Sequence, residues 1–332
     1  MTRLYYILFL LFCVKNISAQ LPVLDSSWEE KFVDNFNFSL DTLNVWTPRY
    51  SFGPCNNGLE YNSFSNLSIT NNALRITAQK LTIPDTCTKG IKYYRSGAVT
   101  SKNFYKYGYW EISAKQPFGS LGYWTAAWTF AWGCPNVYDE LDFMERFGIQ
   151  SAVNTSSTGW HSQDPALGND CQVEKGIISH TNLAPLTLYR KYAMEWDPGK
   201  FVMYFEGEPI WEVRDPVHVP SYASETILNF AIDGQVNANT VFPAYYDIDY
   251  IKIYQLKTDC NSNFTICNFN PNTYDYKVKK SISIGGSGCT SNISTNHTVA
   301  LRATDGIEFK EGTTITANGS GWFFADVIPC PQ

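Results

Sequence analysis

Glu140, Asp142 and Glu145 stand close together in the stretch Val137-Tyr138-Asp139-Glu140-Leu141-Asp142-Phe143-Met144-Glu145-Arg146-Phe147. In an extended strand side chains alternate, so Glu140 and Asp142 share a face while Leu141 and Phe143 point to the other. Strict alternation would carry Glu145 to the buried face, where an unpaired carboxylate is costly. One extra residue at Phe143-Met144, a β-bulge, keeps both apolar side chains covered and returns Glu145 to the face of Glu140 and Asp142. Like charges in one row repel and push at least one pKa upward. Cleavage of a glycosidic acetal uses such a split. One ionised carboxylate attacks the anomeric carbon, and a second holds the proton that the leaving oxygen needs. On spacing alone a structural alternative stays open: a solvated charged strand, or acids paired with Arg and Lys.

Strands must position these acids. In Ala73-Leu74-Arg75-Ile76-Thr77-Ala78-Gln79, Leu74, Ile76 and Ala78 alternate with Arg75, Thr77 and Gln79. In Gly108 to Lys115, Trp110, Ile112 and Ala114 share one face, and Tyr109, Glu111, Ser113 and Lys115 the other. Phe201 to Phe205 and Ile210 to Val213, joined around Glu206-Gly207, read as a hairpin. Asp249 to Tyr254 alternates again. No segment of helical period is long enough to be a major element, so the chain is predicted to be all-β, a sandwich of antiparallel sheets. From Lys257 the texture turns polar, Asn-rich and cysteine-bearing, which predicts a second, small β-module over 257–332 after a large sandwich over 20–256.

The first residues carry one Arg, a short apolar run from Leu4 to Val14 and small residues at Ser18-Ala19. They predict a cleaved export signal over 1–19 and a secreted or cell-surface protein. No later stretch is long and apolar enough to span a bilayer. Of the nine cysteines, Cys13 lies in that signal; the remaining even number favours disulfides in an oxidising compartment. Cys55, Cys87, Cys134 and Cys171 lie in the first part and Cys260, Cys267, Cys289 and Cys330 in the last, with the connectivity left open. A net charge of −6 and the lack of a basic stripe argue against a nucleic-acid partner. Aromatic residues make up 16% of the chain, including ten Trp, an excess compatible with a cleft that stacks on sugar rings.

Glu-Leu-Asp-Phe-Met-Glu resembles the Glu-X-Asp-X-X-Glu signature of glycoside hydrolase family 16, the β-jelly-roll endo-glycanases that include laminarinases, agarases and carrageenases. The likeness extends from about Phe32 to Tyr254. It takes in Phe32-Val33-Asp34 with Trp46, Tyr94-Arg95-Ser96-Gly97, Tyr107-Gly108-Tyr109-Trp110-Glu111, Gly122-Tyr123-Trp124-Thr125-Ala126-Ala127-Trp128, Leu228-Asn229-Phe230 and Asp249 to Tyr254. It implies a jelly roll with a concave substrate cleft. By position Glu140 would be the nucleophile, Glu145 the acid/base and Asp142 the neighbour that orients and tunes Glu140. The reaction would retain anomeric configuration, with the two carboxyls about 5–5.5 Å apart. Glu145 is then expected to have a raised pKa while Glu140 is ionised. Trp124, Trp128 and Trp132 are candidates for the sugar platform, with Trp128 equally readable as core. His161 sits where the family often has a cleft histidine, and Asn57, Glu60 and Arg95 are further substrate-binding candidates.

Members that cut β-1,3-glucan commonly carry a Glu directly after an Asn pair and a Gly before the nucleophile. Here Asn56-Asn57 is followed by Gly58, with Glu60 two positions on, and Asp139 precedes Glu140. Arg49, Arg95 and Arg146 could meet sulfate or carboxylate groups, as an algal galactan would need. Arg146 is the weakest of these, since parity sets it opposite Glu145. No cofactor is required. Several relatives bind a structural calcium ion on the face away from the cleft, and Asp249 is the matching position. Seven Asn-X-Ser/Thr sequons follow the signal, at Asn37, Asn66, Asn154, Asn263, Asn292, Asn296 and Asn318. Leu301 to Cys330 looks like small β-modules at the ends of proteins exported by Bacteroidetes. The expectation is a monomeric, secreted, retaining endo-β-glycanase acting on a polysaccharide. β-1,3-Glucan is its first substrate, an algal galactan (agarose, porphyran or carrageenan) its second, and a non-catalytic glycan-binding protein the reading from another class.

Overall fold

The computed structural model describes residues 24–331 apart from 120, 134–137, 148–153, 164–172, 216–217, 296–297 and 318–321. The proposed signal, Cys134 and Cys171 lie outside the described residues. Two large sheets face each other. The inner, seven-stranded sheet orders β12 (Val173–His180), β11 (Ser156–Gln163), β10 (Tyr138–Phe147), β9 (Tyr123–Trp132), β16 (Glu225–Ile232), β7 (Ala98–Ser101) and β2 (Trp46–Thr47). The outer, ten-stranded sheet runs β15 (Glu208–Val213), β14 (Lys200–Phe205), β13 (Arg190–Asp197), β8 (Gly108–Lys115), β17 (Ala244–Leu256), β5 (Leu74–Cys87), β6 (Gly90–Ser96) and β3 (Glu60–Asn62). Off that path β1 (Trp28–Asp34) pairs with β17 and β4 (Leu67–Ile69) with β5. The only helix among the described residues is a single 3-10 turn, Phe64–Asn66.

The alternation read from sequence is what closes the sandwich. Leu74, Ile76, Trp110, Ile112, Ile251 and Ile253 of the outer sheet meet Ala127, Leu141, Phe143, Leu228 and Phe230 of the inner one, all buried in a single cluster. Truncating one of the large members, such as Phe143, would cost about 3–5 kcal/mol through lost burial and the cavity left behind. The hairpin at Glu206-Gly207 forms with both turn residues in the left-handed region, φ 53° and 85°. Asn66, in one of the sequons, is buried, and its side-chain amide donates to Thr77 O at 2.7 Å.

Beyond Leu256 the pairing turns from mainly antiparallel to parallel. β18 (Thr258–Ile266), β19 (Val278–Ile284), β21 (Val299–Phe309) and β23 (Phe323–Val327) form a parallel sheet. β20 (Ser291–Thr295) and β22 (Thr313–Ala317) pair in parallel beside it. The chain thus winds in coils, each turn stacking on the last as in a solenoid. Phe269, Tyr274, Ile282, Ile284, Ile293 and Leu301 fill the interior. Cys267–Cys289 and Cys260–Cys330 bridge this part, and Cys55–Cys87 bridges the sandwich, so each described disulfide stays within its half of the chain.

The coils pack on the outer sheet. Trp28, Tyr109, Ala193 and Leu256 meet Val278 and Ile328 in a small buried cluster. Tyr109, on the face opposite Trp110, is therefore covered as well, at 1% exposure. Beside this cluster Arg302 donates to both carboxylate oxygens of Asp25, at 3.1 and 2.8 Å.

Candidate active site

β10 bears the acids, and its ladders fix where each one sits. Glu140 lies opposite Phe130 of β9 and His161 of β11, and Asp142 opposite Trp128 and Gly159. The register on β9 then shifts between Asp142 and Met144, leaving Phe143 as the extra residue, and Glu145 lies opposite Ala126 and Ser157. Phe143 and Met144 are both buried in the core while Glu145 lines the cleft. The bulge that charge burial required is therefore present, and it returns Glu145 to the face of Glu140 and Asp142.

That face lines a cavity of about 760 Å³. Trp124, Trp128 and Trp132 all line it, joined by Tyr50, Phe52, Phe130 and Tyr138. Trp132 is the last residue of β9 and 57% exposed, whereas Trp128 is 6% exposed and forms part of the floor. Trp128 Nε1 donates to Asn229 Oδ1 at 2.7 Å, and Trp124 Nε1 donates to Glu145 Oε1 at 2.8 Å. Trp124 thus lines the cleft and donates a hydrogen bond to the expected acid/base.

His161 Nε2 lies 3.4 Å from Glu140 Oε1 and 4.0 Å from Asp142 Oδ2. Burial, then the charge of Lys175, pushes His161 down to about 4, so near neutrality it is an uncharged neighbour. With no Lys or Arg paired to them among the described residues, burial raises all three acids. Burial and the charge of Glu145 push Glu140 up to about 8, against a hydrogen bond from Asp142 that favours its ionised form. Burial and the Glu140 charge raise Asp142, which makes that bond in its protonated form. Glu145 is raised by burial and by Asp142, against the bond from Trp124. The sequence reading held Glu145 up and left Glu140 ionised; burial raises Glu140 too. Asp142 acts as the proton donor that eases Glu140 toward ionisation.

Gly159 faces Asp142, and a Cβ there would sit 2.7 Å from Asp142 Oδ2, so β11 can approach this closely only with glycine. Asp139 points away from the cleft and accepts from the backbone N–H groups of Ser221 and Tyr222, at 2.7 and 3.1 Å, anchoring the start of β10. Ligand atoms of Glu140, Asp142 and His161 all lie within 4.8 Å of one another, a set that could hold a divalent cation. The same carboxylates would then be unavailable for covalent chemistry.

Other expected residues fall differently. Asn57 lines the cleft with Asn56 and Gly58. Glu60 does not: it is wholly buried, and its Oε2 accepts from Ile232 N at 2.7 Å, so it holds the loop from inside. Arg95 is also displaced from the cleft, because its guanidinium is committed to Asp85 at 2.7 and 2.8 Å. Arg146 points into the core and donates to Pro117 O. Asp249 sits at a register shift of β17, and among the described residues no group of three His, Cys, Asp or Glu includes it. Calcium there would depend on backbone carbonyls. The sequence reading missed Tyr50, Phe52, Phe130, Tyr138, Asn229, Lys89 and Lys175, which all line the cleft. Phe130 carried a signal, since it shares the parity of Trp128 and Trp132; the loop residues carried none.

The sequence model for glycosyl hydrolases family 16 matches residues 59–252. The chain belongs to glycosyl hydrolases family 16. A sequence search of curated proteins returns no match. Solved structures of family 16 enzymes superpose on the sandwich. The catalytic domain of an endo-1,3-beta-glucanase (laminarinase) from Thermotoga petrophila RKU-1 is 23% identical, with a TM-score of 0.58, over 70% of this chain and 99% of that one. The kappa-carrageenase from Pseudoalteromonas carrageenovora, in complex with a kappa-carrageenan oligotetrasaccharide, is 19% identical, with a TM-score of 0.59, over 71% and 99%. LamAcat from Zobellia galactanivorans is 22% identical, with a TM-score of 0.57, over 68% and 96%. These family 16 structures agree in fold and diverge in what their names say they cut.

Proposed function

We propose that the protein is a secreted, endo-acting, retaining β-glycanase whose first substrate is β-1,3-glucan. The observation that carries this is the row Glu140, Asp142, Glu145 on one cleft face, restored to a single side by the Phe143 bulge and walled by Trp124, Trp128 and Trp132. An open aromatic trough suits a neutral pyranose chain, whose C–H faces stack on the rings. In the first half-reaction Glu140, ionised, attacks the anomeric carbon. The bond to the leaving oxygen breaks, and Glu145 gives its proton to that oxygen. A glycosyl ester on Glu140 results. It removes the Glu140 charge and leaves Glu145 ionised, ready to take a proton from water. The water oxygen attacks the same carbon from the face the leaving group vacated, Glu140 departs as carboxylate, and configuration is retained.

Hydrolysis of an algal galactan is favoured by a separate observation: Lys89 and Lys175 line the cleft, and neither ammonium has an acidic partner among the described residues. Reducing-sugar release from laminarin, mixed-linkage glucan, agarose, porphyran and carrageenan, by wild type and by Glu140→Ser, separates these readings. Laminarin is expected to be cleaved, with kcat reduced at least roughly 10⁴-fold in Glu140→Ser. Activity that survives the substitution would remove Glu140 as nucleophile. Silence on every polymer would leave a glycan-binding protein.

A further inference from the structure

A second recess lies beside the cleft. It measures about 200 Å³ and is lined by Ser51, Phe52, Phe104, Phe130, Ala131, Trp132 and Glu225. Phe52, Phe130 and Trp132 also line the main cleft, so the two spaces adjoin across these rings. The strand ladders fix its direction. The cleft crosses the strands from Lys175 on β12, past Glu140 and Ala126, to Asn229 on β16. Glu225 lies four residues before Asn229 on that strand, roughly 13 Å away at the ordinary rise per residue. The recess is therefore lateral to the trough.

Its walls are built. Phe52 stacks on Tyr50 with ring centroids 5.0 Å apart and packs on Phe130 at 5.5 Å. Phe130 in turn meets Trp132 at 4.9 Å. Phe104 is held from the other side, because Tyr105 and Ser224 exchange backbone hydrogen bonds, each 3.0 Å. Even so, Phe104 and Trp132 each leave 57% of their surface in solvent, an unusual position for two large rings beside a cleft. Glu225 is 5% exposed, and Ser51 Oγ donates to one of its carboxylate oxygens. The other oxygen carries no hydrogen bond among the described residues and keeps contact with solvent, so it is open to a hydroxyl donor.

Aromatic faces beside an open carboxylate acceptor are the chemistry that holds a sugar: C–H faces on the rings, hydroxyls on the carboxylate. The volume equals about six or seven waters, too small for a chain and sufficient for one ring. We propose that this recess binds a single neutral sugar carried as a branch on the polysaccharide backbone, which rests on the reading of the main cleft as a β-glycanase cleft. The enzyme then tolerates, and binds through, substituents that a closed wall would reject.

Steady-state kinetics on a linear β-1,3-glucan oligosaccharide, and on the same backbone with single β-1,6-glucosyl branches, test this. Phe104→Ala is expected to raise KM for the branched substrate roughly tenfold, with kcat and the linear substrate unchanged. Glu225→Gln, which keeps the shape of the side chain, is expected to shift the same KM in the same direction. Equal effects on both substrates, no effect on either, or wild-type cleavage of the linear chain alone would overturn the proposal. Failure of wild type on both glucans would instead sink the glucan reading. In that case saturation-transfer NMR with methyl β-D-glucopyranoside and methyl β-D-galactopyranoside takes over. Transfer lost in Phe104→Ala supports the recess, and transfer that is absent in wild type or unchanged in the variant overturns it.

Discussion

Glu140, pushed up to about 8, sets the pH behaviour of the site. On the proposed mechanism the free enzyme gains its nucleophile only as pH rises through that value, so the acidic limb of kcat/KM should lie near 8, with activity falling again as Glu145 loses its proton. A limb at the ordinary carboxylate range, between 4 and 5, would contradict a buried row with no Lys or Arg paired to it among the described residues. The same shift has a cost in stability. A carboxyl whose folded pKa lies above its unfolded value binds more protons in the native state, so stability falls as pH rises from about 4.5 toward 8. Glu140→Gln should therefore melt several degrees above wild type at pH 8.5 and match it at pH 4.5, read by thermal denaturation. At this scale the acids were legible in the sequence because charge burial forbids an unbroken strand. Glu60 and Arg95 were not, because their partners Ile232 and Asp85 are set by ladders that sequence distance hides.

Among the elements, β10 and β11 meet only because Gly159 presents no side chain to Asp142. Gly159→Ala should displace Asp142 and cut kcat about 10²-fold with little change in KM, since misplacement on the order of 1 Å has that effect. An unchanged kcat would show that Asp142 has slack. Deleting Phe143, the extra residue, should leave Met144 opposite Ala127 and Glu145 opposite Ala126 on the cleft face. A folded, active protein is therefore expected, destabilised by about 3–5 kcal/mol for the lost core ring in chemical denaturation. Loss of both fold and activity would show that the bulge itself is required. Strand existence was readable throughout the sandwich from period-two alternation, at Leu74 to Ala78 and Trp110 to Ala114 alike. The direction of the last strands was not. Alternation says which face is buried but nothing of whether a neighbour runs parallel, and the coils after Leu256 emerge only from the ladders.

For the whole molecule, the decisive contact is the clasp between Asp25 and Arg302. Burial alone would raise Asp25, but the hydrogen bonds and charge of Arg302, together with Ser27, hold its carboxyl below the usual range. The clasp therefore stabilises the fold above the ordinary carboxylate pKa and loses that contribution as pH falls through the lowered value. Arg302→Ala strands a buried carboxylate and should cost roughly 3–5 kcal/mol at pH 7, with a smaller cost at pH 3, by chemical denaturation. An equal cost at both pH values would mean that packing, not charge, is what Arg302 supplies. Asp25 and Arg302 are 277 residues apart in the chain. At ordinary synthesis rates the first waits about 14 to 55 s for the second to be made. Until Val278 and Ile328 are made, the Trp28, Tyr109 and Leu256 side of the sandwich lacks the cover that the last coils give, so the growing chain carries an exposed apolar patch that only its final residues close.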